Sequence, residues 1–138
     1  MKTDLFVDTS GWAPFLAAKD PLHAQVADIL QQAAKHGRRL ITTSYVMLEL
    51  ITLLERYRFS RARALEGINA IKATSGVLLL HVDEATDAEA WGLLEARLDK
   101  SWSLVDATSF VVMRRFGIGE ALTTDHHFEQ AGFTRLPA

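Results

Sequence analysis

Short apolar runs alternate along this chain with longer segments in which apolar residues recur at helical spacing. Five runs have the length of a buried strand: 5–7, 40–42, 77–82, 118–123 and 133–136. Five polar residues of the types that favour helix N-termini open the helical segments: Asp20, Ser44, Ser60, Asp83 and Ser103. Strands that alternate with helices are typical of an α/β fold. We therefore expect a single domain over residues 1–138, in which a mostly parallel sheet of about four to five strands lies between layers of helices.

Some of these helix starts carry more specific expectations. In the segment 44–54 the only charged residue is Glu49, so its helix is predicted to begin after a Ser44 cap and to be buried on almost all sides. Asp20 followed by proline predicts a helix whose first residue is that proline. Ser103 and Asp106 have the spacing of a capping box.

Composition narrows the classes of protein. The 138 residues are 49% hydrophobic and 23% charged, which is ordinary for a globular domain. The absence of Cys excludes a disulfide framework and a thiolate metal site, and it fits a reducing cytoplasm. Neither a signal peptide nor a membrane-spanning run is recognisable, so we expect a cytoplasmic protein without a membrane partner. The net charge of −2 gives no overall sign of nucleic-acid binding, so any such surface must be local.

Four carboxylates end or interrupt apolar runs. Asp8 and Asp125 follow strands, Asp106 lies in the first turn of a predicted helix, and Glu49 lies about a turn and a half into another. Ligands of open α/β sheets bind at the carboxyl ends of the strands, an edge that all four can reach. Two carboxylates about 4 Å apart repel by roughly 4 kcal/mol at an effective dielectric of about 20, which a divalent cation offsets. Oxygen ligands without Cys predict Mg²⁺, with Mn²⁺ as a substitute, rather than zinc.

Such a cluster suits phosphodiester hydrolysis, because a bound metal acidifies water and offsets charge that develops on a phosphoryl group. We predict Asp8 and Asp106 as the principal metal ligands, with Glu49 and Asp125 completing the catalytic site. Three hydroxyl residues flank these acids and are candidates for binding the metal's waters or a phosphate: Thr9, Ser10 and Thr124.

Four segments together resemble the PIN-domain family, and within it the VapC ribonuclease toxins: 6–12, 42–49, 103–110 and 121–128. The resemblance covers essentially the whole chain and implies a three-layer α/β/α PIN fold. It implies Mg²⁺-dependent endoribonuclease activity at an acidic site of four residues: Asp8, Glu49, Asp106 and Asp125. It also implies a homodimer and inhibition by a cognate VapB-like antitoxin. The chain departs from the pattern at His127, where many relatives carry a further acid.

Basic and aromatic residues near these motifs are candidates for contacting RNA. The densest basic stretch contains Arg56, Arg58, Arg61 and Arg63. Within it Arg56 and Arg61 are the predicted phosphate contacts, with a solvated helix end as the alternative. Trp12, four residues after Asp8, is the aromatic candidate for lining the pocket. We also hypothesise that part of the apolar helix 45–54 forms a dimer or antitoxin surface.

Other interpretations use the same residues. Each acid taken alone is compatible with a turn or a helix cap, and His126 with His127 is predicted to lie in a loop near the site without a third ligand for zinc. A receiver-type signalling domain also has an acidic Mg²⁺ pocket and would use Asp83, but Asp125 occupies the place of its lysine. An inactive PIN-like module that only binds RNA or protein is the remaining alternative. The sequence leaves tRNA, ribosomal RNA and mRNA open as targets.

Overall fold

A parallel sheet runs through the middle of residues 3–138, the part of the chain that this computed structural model describes. Within that part it has five strands: β1 (Leu5–Val7), β2 (Leu40–Thr43), β3 (Val77–Leu80), β4 (Glu120–Leu122) and β5 (Thr134–Leu136). Seven helices flank the sheet over the same residues: α1 (Thr9–Leu16), α2 (His23–Lys35), α3 (Ser44–Arg56), α4 (Arg61–Ala73), α5 (Glu84–Ala96), α6 (Leu104–Phe116) and α7 (His127–Gln130). The spatial order β3-β2-β1-β4-β5 places β1 in the centre. The predicted α/β/α fold is confirmed.

The core fixes the carboxyl end of the central strand. All three residues of β1 are fully buried, and the strand pairs in parallel with β2 on one side and β4 on the other. Phe6 of β1 lies against Phe128 of α7, which in turn packs edge-on against Phe110 of α6 with ring centroids 5.0 Å apart. These contacts pack the central strand against α6 and α7, so the loops at this edge of the sheet are supported by the core.

Three of the predicted helix caps are confirmed. Ser60 accepts a hydrogen bond from the N–H of Arg63, and Asp83 accepts one from the N–H of Thr86. The capping box at the start of α6 is complete, with both reciprocal bonds present. Gly117 ends α6 in the left-handed conformation, at φ 65°, that favours glycine.

Two other helix starts are predicted wrongly. Thr43 caps α3 by accepting from the N–H of Val46, whereas the Ser44 hydroxyl accepts from the N–H of Val82 and ties α3 to the chain after β3. Helix α2 begins at His23 and not at the proline, because Asp20 instead closes a turn by accepting from the N–H of Leu22.

Two helices that border the sheet edge differ from the expectation. Helix α1 was not predicted, because its Gly and Pro weaken the helical pattern. Helix α3 is not buried on almost all sides, since Leu48 is 67% exposed and Glu49 and Thr52 are exposed as well. One face of α3 packs on the core, and the other borders an open cleft. Among the helices of residues 3–138, none has the length and apolar character needed to cross a membrane.

Candidate active site

Asp8 lies at the centre of the sheet edge, directly after β1, and is only 5% exposed. Its Oδ2 accepts hydrogen bonds from the hydroxyls of Thr123 at 3.0 Å and Ser10 at 3.4 Å. Burial raises the pKa of Asp8 to about 7, and repulsion from Glu49 and Asp106 adds to this, against the stabilising hydrogen bonds from Thr9 and Thr123. Asp8 is therefore a buried acid whose charge is incompletely compensated.

Asp106 is buried in the first turn of α6, where its capping role fixes it. Its Oδ2 accepts from the N–H of Ser103 at 3.0 Å and lies 2.9 Å from Nδ1 of His127. Burial raises the pKa of Asp106, and repulsion from Asp125 adds to it, whereas the hydrogen bonds from Ser103 and His127 oppose the rise. The capping role predicted as an alternative for Asp106 is thus real, and it coexists with a place in the acidic cluster.

The other two acids reach the same place from α3 and from the loop after β4. Glu49 is exposed, and its Oε1 accepts a hydrogen bond of 2.6 Å from the hydroxyl of Thr9. Asp125 closes a turn in which its Oδ1 accepts from the N–H of His127 at 2.9 Å, while its own N–H donates to the hydroxyl of Thr123. Both carboxylates are therefore oriented by hydrogen bonds, Glu49 from a hydroxyl group and Asp125 from a backbone amide.

A cleft of about 520 Å³ opens at this edge. Its lining includes three of the acids together with small hydroxyl, apolar and basic side chains: Asp8, Glu49, Asp125, Thr9, Ser10, Leu48, Thr52, Leu53, Val105 and Arg56. Asp106 is not part of this lining, but it is close enough to raise the pKa of Asp8 by repulsion. The structure thus brings all four acids together at one edge.

The donors of this cluster fit a hard divalent cation. The four carboxylates offer oxygen atoms, which are the ligands that Mg²⁺ and Mn²⁺ prefer. Among residues 3–138, no Lys or Arg forms an ion pair with Asp8, Glu49 or Asp106, so the protein supplies no permanent cation of its own to these acids. A divalent ion would offset the repulsion that adds to the effect of burial in raising the pKa values of Asp8 and Asp106.

The predicted substrate contacts are only partly found in the cleft. Thr9, Ser10 and Arg56 line it. Thr124 is exposed and contributes its backbone N–H to the Ser10 hydroxyl. Arg61 does not line the cleft and forms an exposed ion pair with Glu55 at 2.8 Å. Of the two arginines predicted to bind phosphate, only Arg56 therefore lines the cleft.

The prediction that Trp12 lines the pocket is wrong. Its side chain is 2% exposed and its Nε1–H donates to the Thr42 hydroxyl at 3.1 Å, because this position of α1 faces the core over β2. Thr42 in turn donates to the carbonyl of Val7, so Trp12 helps to anchor the end of β1. Trp12 therefore supports the site from within the core.

The sequence did not indicate the contacts that two residues make at the site. Thr123 links Asp8, Ser10 and Asp125 through its hydroxyl, a role that nothing in its sequence context indicates. His127 contacts Asp106. One potential ligand atom from each of His127, His126 and Asp125 also lies within 4.8 Å of the other two. The prediction that the two histidines lack a third potential ligand is therefore wrong, and the Asp125-x-His127 spacing was the available signal.

With this geometry established, comparison with known proteins decides the family. Residues 5–134 match the PIN domain family. The chain belongs to the PIN-domain family. This agrees with the resemblance carried by the four motifs and excludes the receiver-type alternative.

Similar proteins place this PIN domain among VapC toxins. It is 35% identical over 132 residues to the 23S rRNA-specific endonuclease VapC20 of Mycobacterium tuberculosis, covering 96% of this chain and 97% of that protein. It is 30% identical over 109 residues to a VapC ribonuclease of Archaeoglobus fulgidus, covering 77% of this chain and 67% of that protein. A crystal structure of the Mycobacterium tuberculosis VapC20, a Sarcin-Ricin loop cleaving toxin, superposes with a TM-score of 0.82 at 33% identity and covers 95% of this chain and 97% of that one.

These comparisons confirm the prediction that this PIN domain is a VapC-type ribonuclease toxin. Nucleases of the PIN family generally use divalent metal ions, and VapC toxins act on RNA and pair with VapB antitoxins. The four acids of the site lie in the segments whose motifs carried the resemblance.

Proposed function

We propose that this PIN domain is a Mg²⁺-dependent endoribonuclease, with Mn²⁺ as a substitute, in which Asp8, Glu49, Asp106 and Asp125 form the catalytic site. The observation that carries the proposal is the meeting of these four acids at one edge of the sheet, where three of them line one cleft and none of the four is paired with a described Lys or Arg residue. Asp8 and Asp106 would hold the metal, and Glu49 and Asp125 would complete the site directly or through water.

The bound ion would lower the pKa of a water molecule and offset the charge that develops on the phosphoryl group. The chain's own residues prepare the site for this chemistry. Thr123 and Ser10 hold the Asp8 carboxylate, and Thr9 holds Glu49 at the cleft mouth. Such fixed orientation lowers the barrier because the reacting groups need not be ordered during the reaction.

RNA would enter the cleft with a backbone phosphate near Arg56, the basic residue of the lining. In-line attack by water breaks the bond between phosphorus and the 3′ oxygen, which takes up a proton. The products are therefore a 5′-phosphate and a 3′-hydroxyl end.

Ribosomal RNA is the substrate class that the relatives support best. The 35% identical Mycobacterium tuberculosis protein is a 23S rRNA-specific endonuclease, and the match extends over almost the whole of both chains. We infer that this PIN domain also cuts 23S rRNA, in the sarcin–ricin loop.

We further propose a homodimer that a VapB-like antitoxin inhibits in the cytoplasm. Large apolar side chains remain exposed on the two helices that would offer a surface for these partners: Leu48 on α3, at 67%, and Trp91 on α5, at 50%.

The decisive experiment incubates purified protein with intact ribosomes and with total RNA, comparing wild type and Asp8→Asn in Mg²⁺, Mn²⁺ and EDTA. We expect a discrete 23S rRNA fragment with a 5′-phosphate that requires both the metal and Asp8. Cleavage of another RNA would keep the nuclease and replace the substrate. No cleavage by a folded, metal-loaded protein would favour the inactive PIN-like module.

A further inference from the structure

The imidazole of His127 lies between two of the four acids. Its Nδ1 is 2.9 Å from Oδ2 of Asp106 and 3.3 Å from Oδ1 of Asp125. An ionised carboxylate can only accept a hydrogen bond, so Nδ1 of His127 carries the hydrogen in these contacts. The hydroxyl of Ser101 lies 3.4 Å from Nε2, on the other side of the ring. His127 therefore directs an N–H group at the oxygens of both acids.

This position of His127 is fixed by the surrounding structure. The backbone N–H of His127 donates to Asp125, and the next residue, Phe128, is fully buried against Phe110. The His127 side chain itself is 17% exposed, which is less than the 68% of its neighbour His126. The ring is thus held from its backbone and from both of its nitrogens.

The contact restricts where cations can bind. An ion that bridged Oδ2 of Asp106 and Oδ1 of Asp125 would have to displace the N–H of His127, which already occupies that space. Both hydrogen bonds to the Asp106 carboxylate involve Oδ2, which leaves its Oδ1 available to an ion. The space between Asp106 and Asp125 is thus filled by a hydrogen-bond donor.

We propose that His127 is a positioning residue that bridges Asp106 and Asp125 where a second metal ion would otherwise bind, so that the site takes one divalent ion. The inference rests on the metal-dependent function proposed above. In this role His127 orients the two acids and does not itself react with RNA.

The test counts the Mn²⁺ ions bound by metal-stripped protein, by calorimetric titration and by electron paramagnetic resonance of free Mn²⁺. We expect one ion per wild-type chain. The variant His127→Asp replaces the donor with carboxylate oxygens and should bind two ions. The variant His127→Ala should keep one ion but bind it about tenfold to a hundredfold more weakly, as when the orienting partner of a metal ligand is removed.

A conservative variant separates positioning from packing. The amide nitrogen of Asn occupies nearly the place of Nδ1, so His127→Asn should keep one ion and recover most of the affinity that His127→Ala loses. Equal affinity of the Ala and Asn variants would overturn the positioning role. The matched control is His126→Ala, because His126 is largely exposed and its Nδ1 is 3.8 Å from Asp125. This control should leave the number of ions and their affinity unchanged.

The remaining outcomes decide between the two proposals. Two ions bound to a wild-type protein that cleaves RNA would overturn the role of His127 and leave the proposed function intact. A loss of binding in His126→Ala equal to that in His127→Ala would indicate a metal site on the two histidines and Asp125 instead. A wild-type protein that binds no Mn²⁺ and cleaves no RNA would overturn both proposals.

Discussion

The hydroxyl of Thr9 donates a hydrogen bond of 2.6 Å to Oε1 of Glu49 and so joins two segments that lie 40 residues apart in the chain. Thr9 is the first residue of α1 and is 4% exposed, whereas Glu49 projects from the exposed face of α3. A long, exposed carboxylate has many rotamers, and this contact selects one of them at the mouth of the cleft.

Removing this hydroxyl should impair catalysis while the protein stays folded. In Thr9→Val the side chain keeps its shape but loses its donor. A hydrogen bond to a charged group contributes about 1.5 kcal/mol or more, so we expect RNA cleavage to fall roughly tenfold. The measurement is kcat and KM on one defined RNA, with Thr134→Val on the exposed edge strand as the control. Wild-type kcat in Thr9→Val would show that the orientation of Glu49 is unimportant.

The buried Asp8 makes the stability of the metal-free protein depend on pH. Its pKa is about 7 in the folded chain and 3.8 without burial, so between these values the folded state retains a proton that the unfolded state has released. The free energy of unfolding therefore falls as the pH rises from about 4 to about 7. Above about pH 7 the ionisation of Asp8 no longer changes it. The full pKa shift of Asp8 corresponds to a change of at most about 4 kcal/mol in the free energy of unfolding.

Replacing Asp8 by Asn should remove that pH dependence. We expect Asp8→Asn to be more stable than wild type above pH 7 in EDTA, and to show a flatter profile between about pH 4 and 7, since the amide does not titrate. Urea denaturation followed by circular dichroism across this range provides the measurement. Parallel profiles for the two proteins would contradict the charged, buried state of Asp8.

Metal binding should stabilise the wild-type fold independently of RNA. A ligand that binds only the folded state at a hundred times its Kd stabilises it by about 2.7 kcal/mol. For a chain of this length that corresponds to a rise in Tm of roughly 10 °C, which thermal denaturation with and without Mg²⁺ would detect. The rise should be absent in Asp106→Asn. An equal rise at matched NaCl concentration would instead indicate screening of the acids by salt.

Gly11 of α1 positions the helix that follows Asp8. A Cβ built there would lie 2.5 Å from the carbonyl oxygen of Leu122, so Gly11→Ala must push α1 away from β4. Such overpacking typically costs about 1–3 kcal/mol. We expect a lower Tm and weaker RNA cleavage, whereas Gly92→Ala, where the added Cβ has open space inside α5, should lower neither. Equal Tm values for the two variants would contradict this close approach.

Much of the fold follows from local patterns in the sequence. The strands are buried apolar runs, and Ser60, Asp83 and Ser103 cap helices through side chains that contact their own first turns. The four acids were identifiable because carboxylates beside apolar runs require compensation, and parallel strands bring their carboxyl ends to one edge. These features depend on sequence neighbours or on sheet topology alone.

The errors arose where distant contacts override local preference. Helix α1 contains a Gly and a Pro, but its Gly11 allows the close approach to β4 that packing there requires. Trp12 is buried because its indole N–H finds Thr42, a partner 30 residues away. The bridging contact of His127 with Asp106 depends on the position of α7 against α6, which no short-range pattern reports.

The two arginines predicted to bind phosphate should differ in their effect on RNA binding. Arg56 lines the acidic cleft, whereas Arg61 lies outside it and is paired with Glu55. Each phosphate contact adds about 0.7 to 1 to the slope of log K against log salt concentration. In the non-cleaving Asp8→Asn background, Arg56→Gln should therefore weaken RNA binding and reduce this slope by about that amount, while Arg61→Gln leaves the slope unchanged. Fluorescence anisotropy of a labelled RNA over a salt series measures both quantities. An equal loss of slope in the two variants would mean that RNA contacts the whole basic end of α3 and not the cleft alone.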